Sequence, residues 1–459
     1  MSQTSNPVSK TAALFVAALS SFITPFISAS TNIALPAIGR EFSMDAILLG
    51  WVATVFILTA AVFLLPFGRL ADIYGRKKIF TWGTIIYTIS SLLISFAPSA
   101  MILISLRVVQ GIGISMIFST GVAILISVYP PKERGKALGI SASTVYLGLS
   151  LGPPLGGLLV QQFGWRSIFW ATVPLGLAII LIIRWKLKGE WAEAKGEKFD
   201  LAGSIIYGLS LTVFMYGLSE LPALRALWLI AAGVLGLIIF LWWETRVSHP
   251  VFRVALFKNN TAFTFSNLSA LLNYSATFAA GFLLSLYLQQ ARGLEPRTAG
   301  LILVSQPVMM AILSPVAGRL SDRVEPSVLA SIGMALSTAG LVLLAFLGAD
   351  TALPVIAADL VVLGTGFGFF SSPNTNAVMS SIGKELYGVA SATLGTMRLI
   401  GQMLSLGIVM FLFSLFVGRV QITPEYYPLF LKSMKVAFIV FAILCFVGIF
   451  ASLRRGKVR

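Results

Sequence analysis

Three ionisable side chains fall inside long apolar runs: Arg107 in Leu106-Arg107-Val108-Val109, Asp359 in Ala357-Ala358-Asp359-Leu360, and Arg398 in Met397-Arg398-Leu399-Ile400. A charge at mid-membrane costs at least ~2.5 kcal/mol unless it is paired or faces water, so each is a candidate functional group. An acid poised between burial, which opposes ionisation, and a nearby guanidinium, which favours it, can take up and release a proton. Asp359 is the candidate for that role; the alternative is a static partner for Arg107 or Arg398. Arg107 lies close enough to a span end for snorkelling to be a partial escape. Cys445 and His249 are the only cysteine and histidine. A metal site, a disulfide framework and a Cys/His pair are therefore disfavoured, and no cofactor is expected.

The elements that must hold these groups are helices in lipid. The chain has 459 residues, 57% of them hydrophobic and only 11% charged, where a soluble domain has roughly 25% charged. Its mean hydropathy is +0.91. A membrane helix needs about 20 mostly apolar residues. Spans are predicted at 12–38, 46–68, 79–97, 100–128, 136–160, 167–185, 201–220, 226–243, 262–289, 298–317, 327–348, 352–380, 386–417 and 433–453. Fourteen spans place both termini on one side. With the N-terminus inside, 23 Lys and Arg fall in inside segments and 8 outside. The positive-inside rule then makes both termini cytoplasmic and the protein a multi-pass resident of the cell membrane. The net charge of +16 is thereby a topology signal facing anionic lipid, and no nucleic-acid partner is implied. The first span is too long for a cleaved signal. Trp82, Trp185, Trp242 and Trp243 near inner ends, and Trp51 and Trp165 near outer ends, are expected as interface anchors.

The chain repeats itself. Gly68-Arg69-Leu70-Ala71-Asp72 recurs as Gly318-Arg319-Leu320-Ser321-Asp322. Gly111-Ile112-Gly113 recurs as Gly364-Thr365-Gly366, and Lys132-Glu133 as Lys384-Glu385. The offsets of 250–253 residues align spans 2–5 with spans 10–13. The expected architecture is all-α: a six-helix bundle in 1–185, a connector with two inserted spans in 186–258, and a second six-helix bundle in 259–459. The mixed-charge stretch Lys186 to Asp200 is read as a surface helix on the cytoplasmic side. Duplication of a polytopic helical protein is the build of a secondary transporter, in which two bundles rock about a central site.

Three further runs carry a family likeness. Gly68-Arg69-Leu70-Ala71-Asp72-Ile73-Tyr74-Gly75-Arg76-Lys77-Lys78 sets an acid among bases on a short turn. Leu106-Arg107-Val108-Val109-Gln110-Gly111-Ile112-Gly113 lies in span 4. In Gly148-Leu149-Ser150-Leu151-Gly152-Pro153-Pro154-Leu155-Gly156-Gly157 of span 5, glycines 148, 152 and 156 share one helix face and admit a neighbouring backbone, while the prolines should kink the helix. With Trp165-Arg166-Ser167-Ile168-Phe169, these runs resemble the major facilitator superfamily, in particular its fourteen-helix drug–proton antiporter branch. The resemblance implies a gating loop built on Gly68, Asp72, Gly75 and Arg76, with Asp322 in its repeat. It implies that Asp72 latches against the start of span 13, near Leu386. It also implies proton coupling at Arg107, and an antiporter helix at Gly148, Gly152, Pro153, Gly156 and Gly157. The chain departs from the branch in span 1, where Ile27 stands at the usual place of an acid, and span 10 has no acid either.

The polar lining expected for the cavity is Asn32, Gln110, Asn273, Gln306, Asn374, Asn376 and Gln402. Amides among aromatics suit amphipathic organic molecules. The leading expectation is a proton-driven exporter of hydrophobic or amphipathic compounds, with small organic substrate, protons and lipid as its partners and a monomer as the family expectation. The alternatives are an uncoupled or differently coupled carrier of a neutral solute, and a membrane sensor or scaffold. No nucleotide loop, paired carboxylates or His cluster in the spans suggests an enzyme.

Overall fold

The computed structural model describes residues 9–258, 260–383 and 386–456, without the side chains of Pro131 and Lys132. Lys384, Glu385, Lys457 and Arg459, which enter the repeat and the charge count, lie outside the described residues. Thirteen described helices are long and apolar enough to cross a membrane. The 19-residue helix Arg76–Ile94 makes a fourteenth, less apolar because it opens on Arg-Lys-Lys. In chain order they are α1 (Lys10–Glu41), α2 (Ala46–Tyr74), α3 (Arg76–Ile94), α4 (Ala100–Val128), α5 (Pro131–Phe163), α6 (Ser167–Lys186), α7 (Leu201–Glu220), α8 (Leu224–Glu244), α9 (Thr261–Ala291), α10 (Pro296–Leu320), α11 (Pro326–Leu344), α12 (Leu353–Ser380), α13 (Tyr387–Phe416) and α14 (Tyr427–Arg454). Side chains of Ser9, Asp45, Ser99, Asp200 and Asn260 cap five of the N-termini, satisfying backbone donors that a helix start leaves open.

The duplication is visible in the packing. α1 packs on α5, and α2 and α3 pack on α4; in the second half α9 packs on α13, and α10 and α11 pack on α12. Glycines let these backbones approach. A Cβ on Gly113 would stand 2.7 Å from the Tyr87 nitrogen, and one on Gly366 would stand 2.5 Å from the Ser337 nitrogen. The repeated Gly-x-Gly pairs thus do the same job in both halves: Gly111 and Gly364 face α2 and α10, while Gly113 and Gly366 seat α4 on α3 and α12 on α11.

The inserted pair α7–α8 lies across the seam between the halves. The Tyr207 hydroxyl donates to the Ala61 carbonyl of α2 at 3.1 Å, and Gly407 of α13 faces Leu218 and Met215 of α7. At the α7–α8 turn, Ser414 donates to the Leu221 carbonyl. There the Glu220 carboxylate is buried between Arg225 and Arg419.

Two expectations change. The connector after α6 is not a helix: it runs extended with one turn, and Gly189 and Gly196 adopt φ of 97° and 91°, a region hostile to a right-handed helix. Its acids pair with the α2–α3 loop. Trp165 is 3% exposed, and its indole donates to Glu41 at 2.7 Å; it holds α5–α6 to α1 instead of anchoring in lipid. Trp82, Trp185 and Trp242 are exposed, as interface anchors would be.

Candidate functional site

The end bearing the α2–α3 and α10–α11 loops is called the basic end below, and the opposite one the far end. At the far end the halves meet almost backbone to backbone. Gly148, Gly152 and Gly156 face α1, where added Cβ atoms would stand 2.4 Å from the Phe22 carbonyl oxygen, 2.7 Å from Ala29 and 2.8 Å from Ser30. The four-residue spacing therefore reads as packing within the first half. Gly157 points elsewhere: a Cβ there would lie 2.4 Å from the Pro296 carbonyl oxygen of α10, while one on Gly300 would lie 2.2 Å from the Pro153 carbonyl oxygen. The Ser285 hydroxyl donates to the Asn32 carbonyl at 2.6 Å, and Gln289 donates to the Ile33 carbonyl at 3.0 Å. The Gln161 side chain reaches Glu295 at 2.8 Å. The far end is sealed.

Deeper in, the seam carries hydroxyls and rings. Ser314 of α10 donates to the Tyr146 hydroxyl of α5 at 2.9 Å, and that hydroxyl donates to Ser371 of α12 at 3.2 Å. Beside them Arg398 donates to the Thr375 hydroxyl at 2.7 Å and lies 5.7 Å from the centre of the Tyr274 ring. Toward the basic end, no hydrogen bond joins the halves among the described residues, and Gly135, Gly139 and Gly388 have nothing within 4 Å of a would-be Cβ. The halves part on that side.

At the basic end the gating loop is clamped by the connector. Arg76, 6% exposed, holds Asp72 at 2.8 Å, Glu193 through two bonds of 2.7 and 2.8 Å, and Ser127 at 2.8 Å. Glu190 accepts from the Lys77 and Lys78 backbone nitrogens at 2.8 and 3.1 Å, so it caps α3 and favours the positive end of its dipole. Arg69 meets Glu197, which also faces His249 at 2.8 Å. Gly75 has φ 118° and sits against Glu190, a place no larger residue could take without strain. The Asp72 carboxylate thus bonds within its own half, and its backbone carbonyl accepts from Ala194. Gly68 lies over Ser119, and Asp322 is exposed in the turn after α10.

The candidate cavity residues divide. Gln110 is sealed in the first half, joining Arg107 to Ser91. Asn273 touches Cys445, and Asn374 donates to the Ser266 carbonyl, both inside the second half. Asn376 donates to Ser321 and so braces the repeated loop. Asn32, Gln306 and Gln402 are half-buried. Arg107 is 1% exposed. It donates to the Val52 carbonyl at 3.2 Å and to Gln110 at 2.7 Å, over the Phe56 ring at 4.2 Å. Asp359 is 6% exposed and makes no hydrogen bond or ion pair among the described residues. Neither arginine is its partner. Thr375, the partner of Arg398, stands sixteen residues further along α12, about 24 Å at 1.5 Å per residue. Tyr146, Tyr274, Ser314 and Ser371 carry little signal in the sequence beyond falling in apolar runs; the cross-half bonds single out Tyr146, Ser314 and Ser371, and the stack with Arg398 singles out Tyr274.

Comparison with known proteins agrees with this architecture. A peptide transporter solved with sulfate matches 97% of this chain and 95% of its own at a TM-score of 0.72 and 13% identity, which speaks for the fold alone. The riboflavin transporter RibZ of Clostridioides difficile strain 630 is 32% identical over 84% of either chain. The multidrug resistance protein Stp of Mycobacterium tuberculosis (strain CDC 1551 / Oshkosh) is 30% identical over 81% of this chain and 70% of its own. The family model described as Major Facilitator Superfamily matches residues 17–406 and 266–458. With duplicated halves, a glycine-built seal and a clamped loop after α2, this chain is a membrane transporter of the Major Facilitator Superfamily.

Proposed function

We propose that the protein exports hydrophobic or amphipathic organic compounds from the cytoplasm in exchange for protons, as a monomer in the cell membrane. The observation that carries this reading is the asymmetry of the seam: sealed at the far end by Gly157 and Gly300, parted at the basic end, with a hydroxyl and aromatic cluster between. By the positive-inside reading the basic end faces the cytoplasm, so in this state the cluster is reached from inside. Rocking the bundles would break the glycine seal and expose the same cluster outside. The relationship to a multidrug resistance protein supports this kind of cargo. For protons the candidate is Asp359, an acid at membrane depth with no ion pair among the described residues, where each ionisation is costly. Arg107, bonded to the Val52 carbonyl and to Gln110, is assigned to holding α2 against α4.

A second reading has its own support. Relatedness to a riboflavin transporter, and Ile27 where the branch carries an acid, favour an uncoupled carrier of a neutral solute. Dye transport in inverted vesicles under an imposed pH gradient separates the two. Gradient-driven uptake lost in Asp359→Asn supports the antiporter. Uptake indifferent to both gradient and substitution sinks it in favour of the uncoupled carrier.

A further inference from the structure

The two arginines at membrane depth differ in one respect that bears on cargo. Arg107 is sealed, and its two side-chain bonds among the described residues, to Val52 and Gln110, lie within its own half. Arg398 is half-buried on the seam, its Nε has no partner, and its one side-chain bond goes to the neutral Thr375 hydroxyl. The repeat pairs it with the seam residue of the first half: an offset of 252, the one that relates Lys132 to Lys384, carries Arg398 onto Tyr146. Within the helices that form the seam (α1, α2, α4, α5, α9, α10, α12 and α13), the only acid away from a helix end is Asp359. It lies about 24 Å along α12 from the level of Thr375. A guanidinium at this depth is costly without a counter-charge, and no acid pairs with Arg398 among the described residues.

We infer that the counter-charge comes from the cargo: Arg398 is an anion-binding group of the seam, and the compounds carried are aromatic amphiphiles bearing a carboxylate, sulfonate or acidic phenol. The inference rests on the transport reading above and narrows its substrate class. The surroundings fit that chemistry. A guanidinium offers forked donors to carboxylate and sulfonate oxygens. The Tyr274 ring beside it extends an aromatic surface, and the hydroxyls of Tyr146, Ser314 and Ser371 can donate to the remaining oxygens. An organic cation would meet Arg398 with no acid to offset the repulsion.

Fluorescein and rhodamine 6G test this, because they share a ring scaffold and differ in charge. Binding to the purified full chain is followed by fluorescence anisotropy, and uptake by inverted vesicles. Fluorescein should bind, Arg398→Gln should weaken it about tenfold or more, and Arg398→Lys, which keeps the charge and loses the fork, should fall between the two. Rhodamine 6G binding should not weaken in Arg398→Gln. Should both variants fail to fold, the native protein still decides: fluorescein must bind more tightly by a similar factor than its O-methylated methyl ester, in which the carboxyl and the phenol are both blocked. Equal binding of acid and ester, fluorescein binding indifferent to Arg398→Gln, or failure of fluorescein to bind each overturns the inference. Arg398-dependent binding without uptake would keep the anion site and remove the transport reading. Rhodamine 6G uptake unaffected by Arg398→Gln, with no fluorescein bound, would keep transport and remove the anion site.

Discussion

The two ends of the seam are held by different physics. The far end closes through backbone: Gly157 on the Pro296 carbonyl and Gly300 on the Pro153 carbonyl, with no room for a single added carbon. The basic end is tied within the first half by ion pairs, in which Arg76 is buried but Glu193 is 68% and Glu197 40% exposed at the side chain. Close packing is insensitive to salt and intolerant of volume, whereas exposed charge pairs tolerate volume and are screened within about 10 Å at 0.1 M salt. One end is therefore a fit and the other a set of removable ties. A transporter that rocks about a central site needs a closure that is all-or-none and ties that can be exchanged.

Breaking the fit should have the largest effect. Gly157→Val puts three carbons where the Pro296 carbonyl stands, and overpacking of this kind costs about 1–3 kcal/mol. That is enough to move the halves' equilibrium roughly 5- to 150-fold toward a state open at the far end. A cysteine pair at Gln161 and Glu295, whose side chains meet at 2.8 Å, reports the closure. Cross-linking should be efficient while Gly157 is kept and fall steeply once Gly157→Val is introduced. An unchanged yield would mean that the seal does not rest on this glycine.

This contrast was only half legible in the sequence. The four-residue spacing of Gly148, Gly152 and Gly156 identified a shared face because helical periodicity alone sets it, and α1 fills that face. Gly157, one residue on, lies on another face of α5 and meets the other half, where its partner Pro296 is 139 positions away; nothing local announces such a contact. Spans were visible because lipid demands continuous apolar runs. The breaks inside them were not, since the interruption of α6 after Trp170 and the π-helical turn at Tyr287–Ala291 are set by neighbours. Mixed charge in the connector suggested a solvated helix. Its glutamates at 190, 193 and 197 were instead complementary to the bases of the gating loop, a match between two segments that a pass along one segment does not weigh.

The ties at the basic end should respond in graded order. Arg76→Met keeps the volume but leaves Asp72, Glu193 and Ser127 without their shared donor. Loss of a buried, bidentate guanidinium should cost about 2 kcal/mol, read as a lower thermal midpoint and faster proteolysis of the connector. Glu193→Gln keeps the shape and removes one charge from a largely exposed pair. Under about 1 kcal/mol is expected, and high salt applied to the native protein should reproduce it. Neither change should alter the Gln161–Glu295 cross-link, if the two ends are held separately. A cross-link that weakens in Arg76→Met would show instead that the clamp and the seal are coupled.

The smallest effect should come from Glu197, and its signature is pH. The Arg69 guanidinium, with a lesser contribution from His249, holds the Glu197 carboxyl below its ordinary value of 4.5. A depressed value in the folded protein means that the tie contributes fully above that ordinary value and is lost as the pH falls through the lowered one. Limited proteolysis of the connector should therefore be flat from neutral pH down to the ordinary glutamate range and should accelerate only below it. In Glu197→Gln the same step should disappear, with slightly faster cleavage above it and the native rate below it. Acceleration that begins well above 4.5, or that survives the substitution, would assign the pH response to another group and would leave Glu197 as a spectator of the contact between Arg69 and the connector.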